Sequence, residues 1–145
     1  MKAGPFGRLR FLYVGSTKFD EDLRYYTEGF GADVVWNVAA GGARVAALRV
    51  SDGPLFLLAD HRPARSCLPV YETENLMSTV KSLRARGFRP SSRRFEIPNG
   101  PCQLFEDRSG NEFALFEDVR PNAMERAHAD PENRRPVRAR AGARR

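Results

Sequence analysis

The stretch DRSGNEFALFED, residues 107–118, decides the fold, because a polar corner leads straight into a short apolar strand. Half a chain earlier, SDGPLFLLAD (51–60) repeats this design with an Asp-Gly corner, an apolar run and an acidic end. Corners rich in Gly, Asp and Asn are typical of turns between strands. The sequence therefore predicts the same terminal strand twice in one chain.

The repeat extends over the whole segment between residues 8 and 118. Phe11 aligns with Leu68 and Phe56 aligns with Phe113, both at an offset of 57 residues, which indicates a duplication. We predict two βαβββ modules, 8–60 and 67–118, in one α+β domain whose curved mixed sheets surround a cup. The predicted strands are 8–16, 32–39, 43–50 and 54–60 in module one and 67–72, 91–98, 101–107 and 111–118 in module two, and the predicted helices are 18–31 and 74–88.

The two ends of the chain lack this pattern. Residues 1–7 show no periodicity and no apolar core of a signal peptide, so we predict a flexible N-terminus. Residues 119–145 hold many arginines and almost no large apolar side chain, which predicts a disordered basic tail, or at most a frayed helix over 122–128. Removal of 121–145 is therefore expected to leave the fold intact. No apolar run approaches the roughly 20 residues of a membrane span, and we expect a cytoplasmic protein.

The net charge of +6 belongs to the chain ends. Three bases fall in 1–10 and eight arginines in 120–145, which leaves residues 11–119 with 13 bases against 15 acids. The tail can contact nucleic acid or other anionic surfaces nonspecifically. A charge run without interleaved aromatic residues is more typical of a solvated segment.

Few other residues suggest chemistry. Cys67 and Cys102 could form one disulfide, but their strand-like surroundings favour two buried free thiols. His61 lies in the link between the modules, where a solvated turn is favoured over a catalytic dyad, and His128 lies in the tail.

The paired modules resemble the vicinal oxygen chelate superfamily, the fold of glyoxalase I, extradiol dioxygenases and the fosfomycin- and bleomycin-resistance proteins. DLRYYTEGFGADVVW (22–36) is similar to the family's first helix and the turn after it, and LFEDRSGNEFALFED (104–118) is similar to its last hairpin. The resemblance covers about residues 8–118 and is specific for the fold, much less for an activity.

In metal-dependent members of that superfamily, His, Gln or Glu ligands project inward from the first and last strand of each module. The resemblance places these positions at Phe11, Leu57, Leu68 and Ala114, and a shift by one residue supplies no donor either. A divalent cation requires oxygen, nitrogen or thiolate ligands. The resemblance therefore implies a member that lacks the metal ligands, and we expect no metal and no other cofactor.

Strand alternation predicts which side chains face the cup. An aromatic and aliphatic lining suits a bulky, largely flat organic molecule, although the same residues could simply pack, with the cup collapsed or covered by a second subunit. The predicted inward set is Phe11, Tyr13, Leu55, Leu57, Leu68, Val70, Ala114 and Phe116, and the predicted outward set is Leu12, Val14, Phe56, Leu58, Tyr71, Phe113 and Leu115.

Polar groups near the predicted cup are few. They either orient a ligand by hydrogen bonds or lie at a solvated rim, and Glu112 with Tyr13 is the one acid–base pair that the sequence suggests. No catalytic residue is assigned. The predicted ligand-binding residues are Phe11, Tyr13, Trp36, Leu57, Leu68, Gln103, Glu112 and Ala114.

Three functions follow from the resemblance and the missing ligands. The first is a dimeric binding protein that sequesters a hydrophobic or aromatic metabolite or antibiotic, as metal-free members of the bleomycin-resistance type do. The second is a glyoxalase-like isomerase or lyase that uses side-chain acid–base chemistry, or a metal held at other positions. The third is a non-catalytic interaction module whose cup is filled by a partner. We expect a homodimer with a hydrophobic or aromatic small molecule as its ligand.

Overall fold

The computed structural model describes residues 4–134 and confirms the βαβββ order and the α+β class. Module one consists of β1 (Leu9–Gly15), α1 (Phe19–Arg24), a π-helical turn (Tyr25–Gly29), β2 (Asp33–Ala40), β3 (Ala43–Arg49) and β4 (Leu55–Ala59). Module two consists of β5 (Cys67–Glu72), α2 (Leu76–Ala85), β6 (Arg89–Pro90), β7 (Phe95–Ile97), β8 (Gly100–Glu106) and β9 (Glu112–Phe116). A third helix, α3 (Ala123–Ala129), and a 3-10 turn (Pro131–Arg134) follow.

The nine strands of the described residues form one sheet in the order β2-β3-β4-β1-β5-β9-β8-β6, with β7 also paired to β8. In the middle of this sheet, β1 runs parallel to β4 and antiparallel to β5. The two modules therefore join edge to edge within one chain.

The pairing register repeats with the 57-residue offset of the sequence. Tyr13 lies opposite Leu57 in module one, and Val70 lies opposite Ala114 in module two. The β3–β4 and β8–β9 hairpins repeat their registers at the same offset. Because a one-residue slip would turn every side chain to the other face, the shared register places equivalent side chains on the same face in both modules.

The corner at 107–111 is held by the Asp107 side chain. Its carboxylate accepts hydrogen bonds from the backbone N–H groups of Ser109 and Asn111 and from the Asn111 side-chain amide, each at 2.9 Å. The hydrogen bond from the Asn111 side-chain amide, followed by those from the backbone N–H groups, lowers the pKa of the Asp107 carboxyl. Gly110 takes a φ of +85°, which a residue without a Cβ adopts readily. These contacts explain why the quoted stretch makes a tight corner between β8 and β9.

The predicted strand over 91–98 is confirmed only at β7 (Phe95–Ile97), and a separate short strand, β6 (Arg89–Pro90), lies just before the predicted range. Between them, the Ser92 hydroxyl accepts a hydrogen bond from the Leu104 N–H at 3.0 Å. The Ser91 N–H still donates to the Leu104 carbonyl at 2.8 Å. A serine side chain thus takes the place of a backbone carbonyl and interrupts the ladder.

The apolar side chains form three clusters, one on the concave face and two on the opposite face. Each residue that alternation assigned to a face belongs to a cluster on that face, except Leu12, which belongs to none. The cluster on the concave face contains the whole predicted inward set, together with Trp36, Val38, Ala47 and Cys102. Val14, Phe56 and Leu58 pack under α1 and the π-helical turn. Tyr71, Phe113 and Leu115 pack against α2.

In the tail, for which the sequence predicted disorder or at most a frayed helix over 122–128, the structure has α3 at Ala123–Ala129. In α3, Met124 and Ala127 pack against the concave cluster. The His128 ring Nδ1 lies 3.1 Å from both the backbone nitrogen and the backbone oxygen of Asn37 on β2. The spacing 124, 127, 128 puts these residues on one helical face, but two apolar residues are too few to predict that the helix packs against the sheet. The arginine-rich remainder, 135–145, lies outside the described residues.

Phe6 and Gly7, in the segment that the sequence predicts to be flexible, both make contacts in the structure. The Phe6 ring lies 5.2 Å from the ring of Tyr71 and 5.4 Å from that of Phe113. The Gly7 N–H donates to the Glu72 carbonyl at 2.8 Å, so the chain is held just before β1. Residues 1–3 are outside the described range. Among residues 4–134, none of the helices has the length and apolar content of a membrane-spanning segment.

Candidate ligand cavity

A cavity of about 440 Å³ opens on the concave face of the sheet. This volume is within the range of about 300–1,000 Å³ that is typical of small-molecule sites. The residues around it come from both modules and, through Met124, from α3. Six of the eight predicted ligand-binding residues line it, namely Phe11, Tyr13, Trp36, Leu57, Leu68 and Ala114.

Gln103 and Glu112 do not line the cavity. On β8 the alternate residues Cys102 and Leu104 face it, so Gln103 points the other way, where its amide donates to the Ser92 carbonyl at 2.9 Å. Glu112 begins β9 and accepts a hydrogen bond from the Ser91 hydroxyl at 3.2 Å. The proposed Glu112–Tyr13 acid–base pair is therefore not assembled.

Trp36 reaches the cavity because of a bulge in β2. Val34 lies opposite Leu48, which packs under α1, whereas Trp36 lies opposite Ala47 on the concave face, and the register shifts between the two. Without this shift, residues 34 and 36 would share a face. Trp36 is 3% exposed and forms part of the apolar wall.

The link between the modules supplies His61 and Arg62 to the cavity wall, which also contains the polar side chains of Tyr13 and Asn99. The Tyr13 hydroxyl lies 2.9 Å from His61 Nε2, and the two rings meet edge to face at 5.7 Å. The guanidinium carbon of Arg62 lies 5.5 Å from the centre of the Tyr13 ring. The prediction that His61 lies in a solvated turn is thus half right: the residue is exposed, but it borders the cavity and bonds to Tyr13.

Gly15 explains how the link comes so close to β1. A Cβ at this position would lie 2.0 Å from the carbonyl oxygen of Pro63 and 2.6 Å from that of Arg62. Real Cβ atoms do not approach backbone so closely, so only glycine lets the link lie across the end of β1. The signal in the sequence was the Gly-Ser after an apolar strand, but nothing indicated which segment would cover it.

Burial extends the pH range over which two side chains of the cavity wall, Tyr13 and Cys102, stay neutral. Burial raises the pKa of Tyr13 from 10.0 to about 12, an effect that the Arg62 charge opposes and the Asp60 charge reinforces. Burial also raises the pKa of the Cys102 thiol from 9.0 to about 11. At neutral pH the phenol is therefore a hydrogen-bond donor, and the thiol is not the thiolate that a nucleophile or metal ligand requires. Both cysteines are free as predicted, but Cys67 is exposed, contrary to expectation.

The concave face does not fit the divalent metal that the fold family implies. Phe11, Leu57, Leu68 and Ala114 converge on the cavity with hydrocarbon side chains. Among residues 4–134 there is also no group of three or more His, Cys, Asp or Glu side chains that could hold a metal ion. These residues offer no set of donors that could replace the water around a dication.

Comparisons with known proteins agree on the fold. No protein-family model matches the sequence, and no curated protein sequence matches it significantly. Methylmalonyl-CoA epimerase from Mycobacterium tuberculosis superposes with a TM-score of 0.68 at 15% identity, over 82% of this chain and 93% of that one. A variant of the Streptomyces coelicolor epimerase, in complex with 2-nitronate-propionyl-CoA, gives 0.65 at 14% identity, over 79% and 96%.

A hypothetical protein from Bacillus halodurans also matches, with a TM-score of 0.65 at 12% identity, over 76% of this chain and 93% of that one. The protein described here therefore has the vicinal oxygen chelate fold. Identities this low show the fold alone.

Proposed function

We propose that this protein is an isomerase of the vicinal oxygen chelate type that moves a proton on a hydrophobic carbonyl compound without a metal. The observation that carries the proposal is the 2.9 Å contact between the Tyr13 hydroxyl and His61 Nε2 at the wall of an apolar cavity. The proposal is also supported by the structural neighbours of the chain, which include methylmalonyl-CoA epimerases, enzymes of the isomerase class.

The pair offers the two functions that such a reaction needs. Tyr13 keeps its proton, so its hydroxyl can donate to the carbonyl oxygen of the substrate. A carbonyl that takes this hydrogen bond frees His61 Nε2, which then removes a proton from the neighbouring carbon. The resulting enolate is stabilised by the Tyr13 hydroxyl and by the Arg62 charge. Where the enolate is conjugated to a second carbon, delivery of the proton from His61 to that carbon completes an isomerisation in which no electron is gained or lost. Return of the proton to the original carbon regenerates the substrate and is seen only as hydrogen exchange.

Hydrogen–deuterium exchange tests this proposal. The protein is incubated in D₂O with a panel of hydrophobic ketones, acids and thioesters, and loss of the C–H signal is followed by proton NMR. We expect exchange that survives chelator treatment, is abolished in His61→Gln and falls on the order of 100-fold in Tyr13→Phe. Arg65→Gln is the matched control, because Arg65 is in the same link but does not border the cavity. Absence of exchange across the panel, or its loss on chelation, would contradict the proposal.

Sequestration is the second candidate, and the hydrocarbon character of the wall favours it. Apart from the Tyr13–His61–Arg62 end, the lining is mainly aliphatic and aromatic, which suits retention of an apolar metabolite or drug. In this case a ligand bound from the panel is recovered unchanged and without deuterium. The homodimer remains a prediction that analytical ultracentrifugation would test.

A further inference from the structure

Arg62 differs from the other partly buried arginines of the structure. Arg10 and Arg44 each lie within 3.2 Å of a carboxylate oxygen. Within residues 4–134, Arg62 forms no such ion pair, and its Nε is inaccessible to solvent and has no hydrogen-bond partner. Asp60, the nearest acid along the chain, accepts instead from the backbone N–H of Arg44.

An unpaired buried donor needs an explanation, because burial without a partner opposes folding. Arg62 borders the cavity together with its neighbour His61, and its guanidinium lies above the Tyr13 ring. The rest of the wall is mainly hydrocarbon, so positive charge is concentrated at one end of an apolar space. The complement of such a space is an amphipathic anion.

We propose that the cavity selects hydrophobic carboxylates, whose charged group is bound by Arg62 and whose apolar body lies against Trp36 and Leu57. A guanidinium suits a carboxylate because its two terminal Nη groups present parallel N–H donors to the two oxygens, and this pairing does not involve the solvent-inaccessible Nε. Since Arg62 and His61 are adjacent, an anion bound at Arg62 holds the carbons next to it within reach of the Tyr13–His61 pair. This inference names the substrate class of the proposed isomerase. Binding of the carboxylate at Arg62 does not depend on the proposed function, whereas placement of the substrate for proton transfer does.

The test compares 4-phenylbutanoate with its methyl ester and its amide, which share the apolar body and lack the charge. Trp36 is the single tryptophan and borders the cavity, so its fluorescence reports occupancy, with calorimetry as a second readout. The native protein is expected to bind the acid on the order of 10- to 100-fold more tightly than the amide. Arg62→Gln should remove this preference, Arg62→Lys should keep part of it, and Arg65→Gln should leave it unchanged.

Equal binding of acid and amide by the native protein, with no carboxylate preference in the second arm described below, would overturn the inference, as would an acid preference that survives in folded Arg62→Gln. If Arg62→Gln does not fold, Arg62→Lys replaces it in the test. A reduced acid preference in Arg62→Lys supports the inference, and an unchanged preference overturns it. A second arm compares methylmalonyl-CoA with propionyl-CoA, which lacks the free carboxylate. An Arg62-dependent preference in this arm, and not for 4-phenylbutanoate, identifies the anion as part of a thioester.

The two proposals fail in different ways. If His61→Gln retains the acid preference while no protein form exchanges deuterium, the anion site stands and the isomerase does not. If exchange occurs while the native protein binds acid and amide equally and shows no carboxylate preference in the thioester arm, the isomerase stands and the anion site is refuted.

Discussion

Replacement of Tyr13 by Phe should change the alkaline stability of the protein in a way that only a buried phenol predicts. Tyr13 has a pKa of 10.0 when exposed and about 12 in the folded protein, because burial disfavours the phenolate. Between these values the unfolded chain loses the proton while the native protein keeps it. The stability that this group contributes is therefore complete below pH 10 and is lost as the pH rises towards 12.

The size of the effect follows from the shift. Two pH units at 1.36 kcal/mol each set an upper limit of about 2.7 kcal/mol, and partial contact of Tyr13 with solvent reduces this to about 2 kcal/mol. At pH 8, by contrast, the variant loses the hydrogen bond to His61, which costs about 0.5–1.5 kcal/mol. The variant should therefore be less stable than the native protein at pH 8 and relatively more stable near pH 11.5.

Urea unfolding followed by Trp36 fluorescence, at intervals from pH 8 to pH 11.5, measures both free energies of unfolding. Other groups that titrate in this range, Cys102 among them, are present in both proteins and cancel in the difference. Tyr25→Phe controls for the loss of a phenol at an exposed site, since Tyr25 is 58% exposed. A constant difference between native and Tyr13→Phe over the whole pH range would refute the assignment of Tyr13 as a buried neutral phenol.

Three further predictions concern the architecture around the cavity. Leu57→Glu should destabilise the fold by at least about 3 kcal/mol or abolish ligand binding, because Leu57 is 5% exposed among hydrocarbon neighbours. The control Leu57→Met should cost under about 1.5 kcal/mol. A folded glutamate variant that binds ligand unchanged would show that Leu57 does not face the cavity. Removal of residues 123–145 should lower the free energy of unfolding by about 1.5–3 kcal/mol, because Met124 then no longer covers the concave cluster. The fluorescence emission of Trp36 should shift to the red for the same reason. Unchanged stability and emission would mean that α3 is not part of the fold. Arg10→Ala should lower the free energy of unfolding, measured by heat or urea, by about 1–3 kcal/mol, because Glu72 and Asp118 lose the partner they share at 2.8 and 3.2 Å. An unchanged free energy of unfolding would show that these ion pairs have no role in stability.

Much of the fold could be read from the sequence because its determinants are local or periodic. Alternation along 9–15, 55–59, 67–72 and 112–116 specified which side chains face the cup, and the structure places all of the assigned inward residues there. The 57-residue repeat likewise predicted the two modules, and the pairing registers repeat at the same offset. The hydrocarbon side chains at Phe11, Leu57, Leu68 and Ala114 are a fact of composition that no folding step changes.

The candidate site could be predicted only in part, because its polar end is made by contacts distant in sequence. His61 and Arg62 read as a solvated link until Gly15 allows that link to lie across β1, and no periodicity signals such an approach. The bulge in β2 that turns Trp36 inward and the docking of α3 depend on what each segment meets after the chain has folded. The amino-acid sequence by itself therefore determined an apolar cup, through short-range alternation and a repeat. Only the tertiary structure decided which charged and titratable groups border it, because residues far apart in the chain become neighbours when the sheet closes around them.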